Sequence, residues 1–290
     1  MSSVAVIGPG RVGTAVALGL ADAGYDIAAV AGTGEESASL AEFGRLVSSA
    51  TATTVAAGVL HADLVVVSTP DAMIGQVARV AAAADAVHLG QRWIHTAGGV
   101  GLDPLSIVRA AGASIAACHP AMTFPDPVSG WHNLPGSSWA VTAEESDLDW
   151  ARLLILDLRG SPVTVPAGSR TLYHAGLSVG SNATTAVASL ARDLLLGAGI
   201  EDPSAFLLPL VTASAQGGAV RGVQALTGPI SRGEDSTVRG HLEELRTSFP
   251  EAVQAYVALG ELILAQAIRA GLSPERAQAV RAVLDHVATQ

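Results

Sequence analysis

The sequence contains no lysine, and all 16 of its cationic side chains are arginines. No side-chain ammonium is therefore available as an acid, a base or a Schiff-base nucleophile. The single cysteine, Cys118, excludes an intramolecular disulfide and a cysteine-rich metal cage, and it suits a reducing compartment. We interpret Cys118 as a small buried apolar residue rather than a nucleophile, and we expect no metal site.

Charged residues are scarce as well: they make up 14% of the chain, against 49% hydrophobic residues, and the formal net charge is −10. This composition is typical of a globular protein with a large core. Because no basic cluster is present, we expect no binding to nucleic acid. The first residues lack the positive segment of a secretory signal, so a cytoplasmic protein is expected.

One long stretch without Asp, Glu or Arg, residues 171–191, raises the question of a membrane span. It includes His174, Asn182 and several Ser, Thr and Gly residues. A bilayer span is more uniformly apolar over ~20 residues. We therefore interpret this stretch as a buried helix and expect no membrane partner.

Short apolar runs alternate with helical patterns in the first half of the chain. This alternation predicts a doubly wound α/β fold around a parallel sheet that is covered on both faces. An exposed loop that can act as a lid is predicted over residues 123–138. The predicted strands are Val4–Gly8, Asp26–Ala31, Leu64–Ser68, Trp93–Thr96, Ser114–Cys118, Ser138–Val141 and Pro162–Val165, and the predicted helices are Gly10–Ala23, Glu35–Leu46, Ala72–Ala84, Pro104–Ala111 and Asp147–Leu158.

The second half of the chain has an almost wholly helical pattern. A Pro- and Gly-containing stretch after Val165 marks the boundary, so we predict domains over residues 1–165 and 166–290. The first is the nucleotide-binding domain, and the second is a helical domain for substrate binding and dimerisation. Its predicted helices are Leu172–Leu196, Pro203–Ala219, Thr237–Thr247, Pro250–Ala270 and Pro274–Val287.

A glycine-rich turn follows the first strand and begins the first helix. In the dinucleotide-binding pattern of a Rossmann domain, Gly8 makes the tight turn, Gly10 lets the backbone approach a pyrophosphate, and Gly13 lets the helix pack closely on the strand. The amides at the helix start then hold the phosphates. The remaining candidates in this turn are Pro9, Arg11 and Val12.

The choice of dinucleotide depends on the end of the second strand, where neither an acidic residue nor an arginine stands. Thr33 and the helix after it favour NADP, whose 2′-phosphate they can bind. Glu35 and Glu36 oppose this by repulsion, so NAD remains the alternative. At the ends of later strands, Ser68, Thr69, Pro70 and Thr96 are expected to flank the cofactor; Asp71 is more simply a helix N-cap.

Candidates for proton transfer come from two segments. His119 follows the strand that ends at Cys118, where it can donate a proton to a carbonyl or imine; the alternative is a hydrogen-bonded core histidine. His174, Ser178 and Asn182 are spaced four residues apart, which places them on one face of a helix. The alternative for this polar stripe is helix–helix hydrogen bonding.

A polar segment of the second half, LTGPISRGEDSTVRGHL, supplies candidates for substrate binding. Arg232 and Arg239 can clamp a carboxylate or a phosphate, and His241 lies on the same predicted helix as Arg239. The alternative is a solvated loop in which the arginines form salt bridges with Glu234 or Glu243.

The motifs GPGRVG, VVVSTPDAMI, HTAGG, HPAMTF, YHAGLSVGSN and ALTGPISRGEDSTVRGHL resemble a known family across nearly the whole chain. It comprises Rossmann-like proteins with a C-terminal domain of unknown function 2520, in the 6-phosphogluconate-dehydrogenase-like superfamily. Their relatives include ketopantoate reductases, pyrroline-5-carboxylate reductases and reductases that use coenzyme F420. The resemblance implies an NADP-type domain, a helical domain and homodimerisation through the helices.

The resemblance also implies that Asn182 is the active-site asparagine. Related enzymes carry a catalytic lysine one turn earlier, where this chain has Ser178, so His174 or His119 has to take the acid–base role. Together these features predict an NADP-dependent oxidoreductase of a small, anionic carbonyl or imine compound, such as the 2-oxo acid ketopantoate. The alternatives are a non-catalytic dinucleotide-binding sensor or scaffold, and a reductase that uses coenzyme F420.

Overall fold

The computed structural model describes residues 2–32 and 37–288, with side chains up to residue 285. The described residues up to Val179 form one compact unit, and those from Gly180 onward form a second. The division falls inside a long helical segment, after the first of its two α-helical parts. The boundary predicted after residue 165 precedes that segment.

The first unit is built on an eight-stranded sheet of order β3-β2-β1-β4-β5-β6-β7-β8. All neighbouring strands are parallel except β6 and β7. The strands are β1 (Ser3–Ile7), β2 (Asp26–Ala31), β3 (Thr51–Ala52), β4 (Leu64–Val67), β5 (Arg92–His95), β6 (Ser114–Pro120), β7 (Ser138–Ala143) and β8 (Ser161–Thr164). This arrangement confirms the predicted α/β class.

Helices connect these strands: α1 (Arg11–Asp22), α2 (Ala38–Leu46), α3 (Val55–Leu60), α4 (Ile74–Ala83), α5 (Ser106–Ala110), α6 (Pro127–Asn133), α7 (Glu145–Asp157) and α8 (Arg170–Ser178). Alternate residues of the central strands enter different cores, because successive side chains of a strand point to opposite faces. Val4 and Val6 pack in one core, and Ala5 and Ile7 pack in the other. Burial on both faces explains the near-continuous apolar runs.

The region predicted to be an exposed loop after β6 contains α6, so that prediction is wrong over Pro127–Asn133. Asp126 caps this helix, and its carboxylate accepts a hydrogen bond from the Ser129 amide at 2.8 Å. Gly130 is buried, and a Cβ there would lie 3.2 Å from that of Ala15 in α1. Trp131 also bonds to Asp22 of α1 at 2.9 Å. The Pro and Gly residues that predicted a loop here therefore belong to a short packed helix.

Three further features differ from the predictions. Neither β3 nor α3 is predicted, because two residues and six residues are too short to show a clear period. The β6–β7 connection returns the chain antiparallel, so the sheet is mixed rather than wholly parallel. Asp71 is not an N-cap: Pro70 precedes a 3₁₀ turn over Asp71–Met73 that leads into α4.

The second unit consists of α9 (Thr184–Gly197), α10 (Ser204–Arg221), α11 (Pro229–Arg232), α12 (Asp235–Ser248), α13 (Val253–Arg269) and α14 (Pro274–Ala288). Its apolar core lies among the last four of these helices and includes Ile230, Val238 and Leu284. A π-helical segment, Val179–Ala183, links α8 to α9. The second half of the chain is thus helical, as predicted.

The prediction of a buried helix over residues 171–191 is wrong. Arg170 is the only buried residue of α8, and α9 has none. The apolar residues of α9 and α10 are half-buried or exposed; among the exposed ones are Val187, Leu208 and Leu210. By length and composition, the described helical segment Pro250–Arg269 is long and apolar enough to cross a membrane, which is weak evidence because core helices pass the same criteria.

Candidate cofactor and active site

Two glycines of the β1–α1 turn are fixed by close backbone packing. Gly8 has φ +104°, and a Cβ there would lie 2.7 Å from the backbone carbon of Ser68. A Cβ at Gly13 would lie 2.2 Å from both the Gly8 carbonyl oxygen and the Ser68 Oγ. Ser68 donates to that same carbonyl oxygen at 2.7 Å. The Ser68 hydroxyl therefore holds the turn against the end of β4.

Gly10 is different, because a Cβ there would meet nothing within 4 Å. It is the exposed N-cap of α1, with φ −79° and ψ −174°, and no side chain caps the helix. The first amides of α1 lack intrahelical acceptors, and the helix dipole adds partial positive charge at this end. The open space beside Gly10 is therefore suited to a phosphate group.

The other residues of the turn have distinct positions. Pro9 is buried, and Val12 packs against the apolar core of the first unit. The guanidinium of Arg11 bonds to the carbonyl oxygens of Phe124 and Pro125 at 3.2 and 3.4 Å. Arg11 thus ties the start of α1 to the segment after β6.

A cavity of about 580 Å³ lies beside this turn, lined by the ends of β1, β2 and β4 and by one side of α4. Its lining residues include Gly32, Pro70 and Met73, and none of the lining residues that the structure describes is charged. Thr69 also lines it, and its Oγ1 is buried without a hydrogen-bond partner. An unpaired buried hydroxyl is costly unless a ligand satisfies it. The cavity and the glycine turn therefore fit a dinucleotide, with its phosphates at Gly10.

The residues predicted to distinguish NADP from NAD follow the end of β2. Thr33 lies outside the described residues, as do Glu35 and Glu36. Thr96 follows β5, and its amide donates to the Val67 carbonyl oxygen at 3.1 Å. This bond places Thr96 beside the end of β4, at the same edge of the sheet as the glycine turn.

A cluster of polar rings lies at the carboxyl ends of β5 and β6. The Nδ1 of His119 is 2.9 Å from the Oη of Tyr173, and its ring meets that of His174 edge-on at 5.7 Å. Both imidazoles lie against Gly98, where a Cβ would be 2.4 Å from the His174 Cδ2 and 3.0 Å from the His119 Nε2. The missing side chain of Gly98 therefore allows the two rings to approach each other.

Arg170 lies beneath this cluster, with 1% of its surface exposed. Its guanidinium donates to the Ala97 carbonyl oxygen at 2.6 Å and to the Thr142 Oγ1 at 3.0 Å. Longer bonds of 3.4 Å reach the carbonyl oxygens of Ala117 and Ala140. Among the residues that the structure describes, no carboxylate pairs with Arg170. The cluster therefore contains a buried positive charge whose hydrogen-bond acceptors are all neutral. Desolvation by burial lowers the pKa of this guanidinium.

This environment disfavours further positive charge. Burial, followed by the charge of Arg170, lowers the pKa of His119 to about 4. Burial also lowers the pKa of His95 to about 4, although its Nε2 lies 2.9 Å from the Gly101 carbonyl oxygen. Both rings are neutral near pH 7. Cys118 is buried, as predicted, and burial raises the pKa of its thiol to about 12, which disfavours the reactive thiolate.

The structure does not place the other predicted site residues in this cluster. Ser178 is half-buried at the end of α8, and Asn182 is exposed in the π-helical segment and has no hydrogen-bond partner among the described residues. The π turn interrupts the four-residue spacing on which the predicted shared face depends. The burial expected for Asn182 is therefore not found.

In the second unit, the two arginines pair with nearby carboxylates. Arg232 binds Glu234 at 2.6 Å, one of the alternatives raised by the sequence, and Arg239 lies 3.9 Å from Asp235. The Nδ1 of His241 is 2.8 Å from the Oη of Tyr256. Arg232 also lines a cavity of about 1000 Å³ with Arg276 and Ser273.

Sequence reasoning missed Tyr173 and Arg170. Arg170 begins α8, before an uncharged stretch of more than 20 residues, and this isolated charge was an available signal. Tyr173 directly precedes a histidine that was singled out. Nothing in the sequence linked either residue to His119, which is 54 residues away from Tyr173 along the chain.

Comparisons with known proteins agree with this architecture. A Rossmann-like domain matches residues 1–120, and the domain of unknown function 2520 matches residues 137–263. Among curated proteins, none matches the sequence significantly.

Solved structures share the fold at low sequence identity. A Bacteroides fragilis protein named as a candidate NADP oxidoreductase is 22% identical, with a TM-score of 0.74 over 90% of this chain and 97% of that one. A variant imine reductase from Myxococcus stipitatus in complex with NAD⁺ is 16% identical, with a TM-score of 0.62 over 99% of both chains. A Plasmodium falciparum pyrroline carboxylate reductase with NADP bound is 14% identical, with a TM-score of 0.57 over 92% and 98%.

The chain is therefore structurally similar to NAD(P)-dependent oxidoreductases, and it consists of an N-terminal Rossmann-like domain followed by a C-terminal domain of unknown function 2520.

Proposed function

We propose that this protein is a cytoplasmic NAD(P)-dependent reductase of a small carbonyl or imine compound. The observation that carries the proposal is the open space at Gly10, at the start of α1, next to the cavity lined by Thr69, whose hydroxyl is buried and unpaired. The polar cluster of His119, Tyr173 and His174 lies at the same edge of the sheet. In open α/β sheets this edge binds the ligand.

NADP is the proposed cofactor, with NAD or coenzyme F420 as alternatives. The first amides of α1 would hold the phosphates, and the wall of the cavity would contact the adenosine portion. When bound, a reduced nicotinamide supplies a hydride to the substrate carbon. The protein contributes the position of the reactants, the exclusion of water and a proton for the heteroatom.

The proposed substrate is small and anionic, and 2-oxo acids such as ketopantoate are the leading class. Ser178, Arg232, Arg239 and His241 remain the predicted substrate-binding residues. The pairing of Arg232 with Glu234 means that an anionic substrate would have to compete with an existing carboxylate. We expect no nucleic-acid or membrane partner.

His174, Asn182 and His119 remain the predicted catalytic residues. We expect the purified protein to bind NADPH by calorimetry and to oxidise it with at least one member of a panel of 2-oxo acids and cyclic imines. In His174→Ala, we expect kcat to fall by about 100-fold, while the Kd for NADPH changes less than about twofold. The exposed His61 provides a matched control, since His61→Ala changes a histidine outside the cluster.

A non-catalytic dinucleotide sensor is the second candidate, and the absence of lysine favours it. A sensor would bind NADPH or NADH tightly and reduce no member of the panel. Neither His174→Ala nor Asn182→Ala would then change the affinity. Turnover that depends on His174 would contradict the sensor, and tight binding without any turnover would contradict the reductase.

We also propose that the protein forms a homodimer through α9 and α10. The side chains of Phe206, Leu208 and Leu210 in α10 are 59%, 72% and 63% exposed, and Gly217 is the only buried residue of this 18-residue helix. A helix that is apolar on all sides is normally covered. A second copy of the chain presents the same apolar surface and can cover it symmetrically.

The double variant Phe206→Glu/Leu208→Glu is expected to dissociate the dimer, because each interface would then bury unpaired carboxylates. Light scattering after size exclusion should give a dimer for the unmodified protein and a monomer for the variant. Leu89→Glu is the control, since Leu89 is 88% exposed in the first unit. A monomeric unmodified protein at micromolar concentration would contradict this proposal.

A further inference from the structure

The hydrogen bond between Tyr173 and His119 joins α8 to β6. His119 lies in β6, one residue before its end, and Tyr173 lies in the first turn of α8. Their polar atoms are 2.9 Å apart, and their rings meet edge-on at 5.8 Å. Within the part of the chain that the structure describes, the Tyr173 hydroxyl has this one hydrogen-bond partner. Tyr173 is half-buried, so part of its side chain reaches the surface.

The groups around His119 determine whether His119 or Tyr173 carries a transferable proton near pH 7. His119 faces Arg170, His174, His95 and Tyr173. Burial and the Arg170 charge keep its pKa near 4, so the ring is neutral and cannot act as an imidazolium acid. Burial raises the pKa of Tyr173, although Arg170 opposes this, so the phenol stays protonated.

We propose that Tyr173 is the proton donor of the reductase and that His119 is a positioning residue, which donates its Nδ1–H to the Tyr173 oxygen. This assignment rests on the proposed function and identifies a catalytic residue in its site. With His119 as donor, the phenolic proton of Tyr173 is free to point towards a substrate. Neither histidine singled out from the sequence then has to donate directly.

The proton and electron balance of the step is complete. A hydride from the reduced cofactor forms the new C–H bond, and the π pair of the C=O or C=N bond moves to the heteroatom. That atom takes the proton from the Tyr173 Oη, and the O–H bond breaks. The phenolate takes the Nδ1 proton of His119, while the His119 Nε2 accepts a proton from solvent. Proton exchange with solvent then returns the neutral ring to its Nδ1–H tautomer before the next turnover.

The geometry around Gly98 fits this relay. The His119 Nε2 and the His174 ring both lie within 3.0 Å of the position that a Cβ of Gly98 would occupy, and the centroids of the two rings are 5.7 Å apart. His174 is therefore beside the nitrogen that accepts the proton from solvent. A proton arriving from outside the cluster can reach His119 on the side opposite Tyr173.

The first test compares Tyr173→Phe with Tyr25→Phe. Tyr25 is a matched control, because its hydroxyl also makes one side-chain hydrogen bond, to Asp157 at 2.6 Å, but at the amino-terminal edge of the sheet. We expect Tyr173→Phe to lower kcat by about 100-fold with an unchanged Kd for NADPH. Tyr25→Phe should leave both values unchanged. A Tyr173→Phe variant within threefold of the unmodified kcat would overturn the assignment.

The second test needs no turnover. Nitrogen-15 NMR of the histidine rings, with His119 assigned through His119→Gln, reports which nitrogen carries the proton at pH 7. We expect Nδ1–H in the unmodified protein and a shift towards Nε2–H in Tyr173→Phe. An Nε2–H ring in the unmodified protein would overturn the proposal, because the phenolic proton would then point at His119.

The two tests separate this assignment from the proposed function. If the unmodified protein binds no nicotinamide cofactor and reduces no panel member, the function fails, and the donor role fails with it whatever the tautomer. If it turns over and Tyr173→Phe does too, only the assignment fails.

Discussion

Gly10→Asp is expected to lower the affinity for NADP(H) by about 100-fold without lowering Tm. The backbone at Gly10 has an ordinary extended conformation, and the space beside it is open, so the fold accepts a side chain. Aspartate is a favourable N-cap. Its carboxylate would occupy the space suited to a phosphate and repel it; like charges about 4 Å apart cost up to roughly 4 kcal/mol near a protein surface.

Isothermal calorimetry with NADPH and NADH, with thermal unfolding alongside, measures both parts of this prediction. Gly44→Asp is the control, since Gly44 is exposed in the last turn of α2 and a Cβ there meets nothing within 4 Å. We expect Gly44→Asp to bind as the unmodified protein does. Unchanged binding in Gly10→Asp would place the phosphates elsewhere and contradict the assignment of the β1–α1 turn as the phosphate site.

Arg170→Met is expected to destabilise the first unit by about 3 kcal/mol. The change removes bonds to the Ala97 carbonyl and the Thr142 hydroxyl, and each hydrogen bond to a charged group contributes about 1.5–3 kcal/mol. Relief of the desolvated charge offsets part of this loss. A loss of this size corresponds to a Tm lower by roughly 10 °C. Arg152→Met, at an exposed position in α7, is the control.

The same variant should also change the response to acid. In the unmodified protein the folded-state pKa values of His95 and His119 are near 4, below the ordinary value of 6.5. The unfolded chain therefore binds more protons between these values, and stability falls as the pH drops from about 6.5 to 4. Without Arg170, the pKa of His119 should rise, so part of this loss disappears.

Urea unfolding at pH 7.5 and pH 5 measures both effects. The stability difference between the two pH values should be smaller in Arg170→Met than in Arg152→Met. An equal difference would mean that burial alone, and not the Arg170 charge, sets the pKa of His119. An Arg170→Met variant as stable as the unmodified protein would contradict the predicted net contribution of Arg170 to stability.

The elements with strong local signals could be predicted from the sequence. The β1–α1 turn combines an apolar strand, three spaced glycines and a helix. A Cβ would collide with neighbouring atoms at Gly8 and Gly13, whereas the space beside Gly10 is open. The short elements β3, α3 and α6 could not be predicted, because two, six and seven residues are too few to show a clear repeating pattern. The antiparallel β7 could not either, since strand direction depends on how a connection folds.

By itself, the sequence determined the nucleotide-type turn, the apolar strands of a sheet buried on both faces and the helical character of the second half. These depend on residues close together in the chain, through backbone freedom, periodicity and the amides of one helix end. Only the tertiary structure decided that Gly98, His119, Arg170 and Tyr173 meet. Their contact depends on the alignment of β5, β6 and α8, and the charge state of His119 depends on burial and on Arg170, neither of which any local pattern specifies.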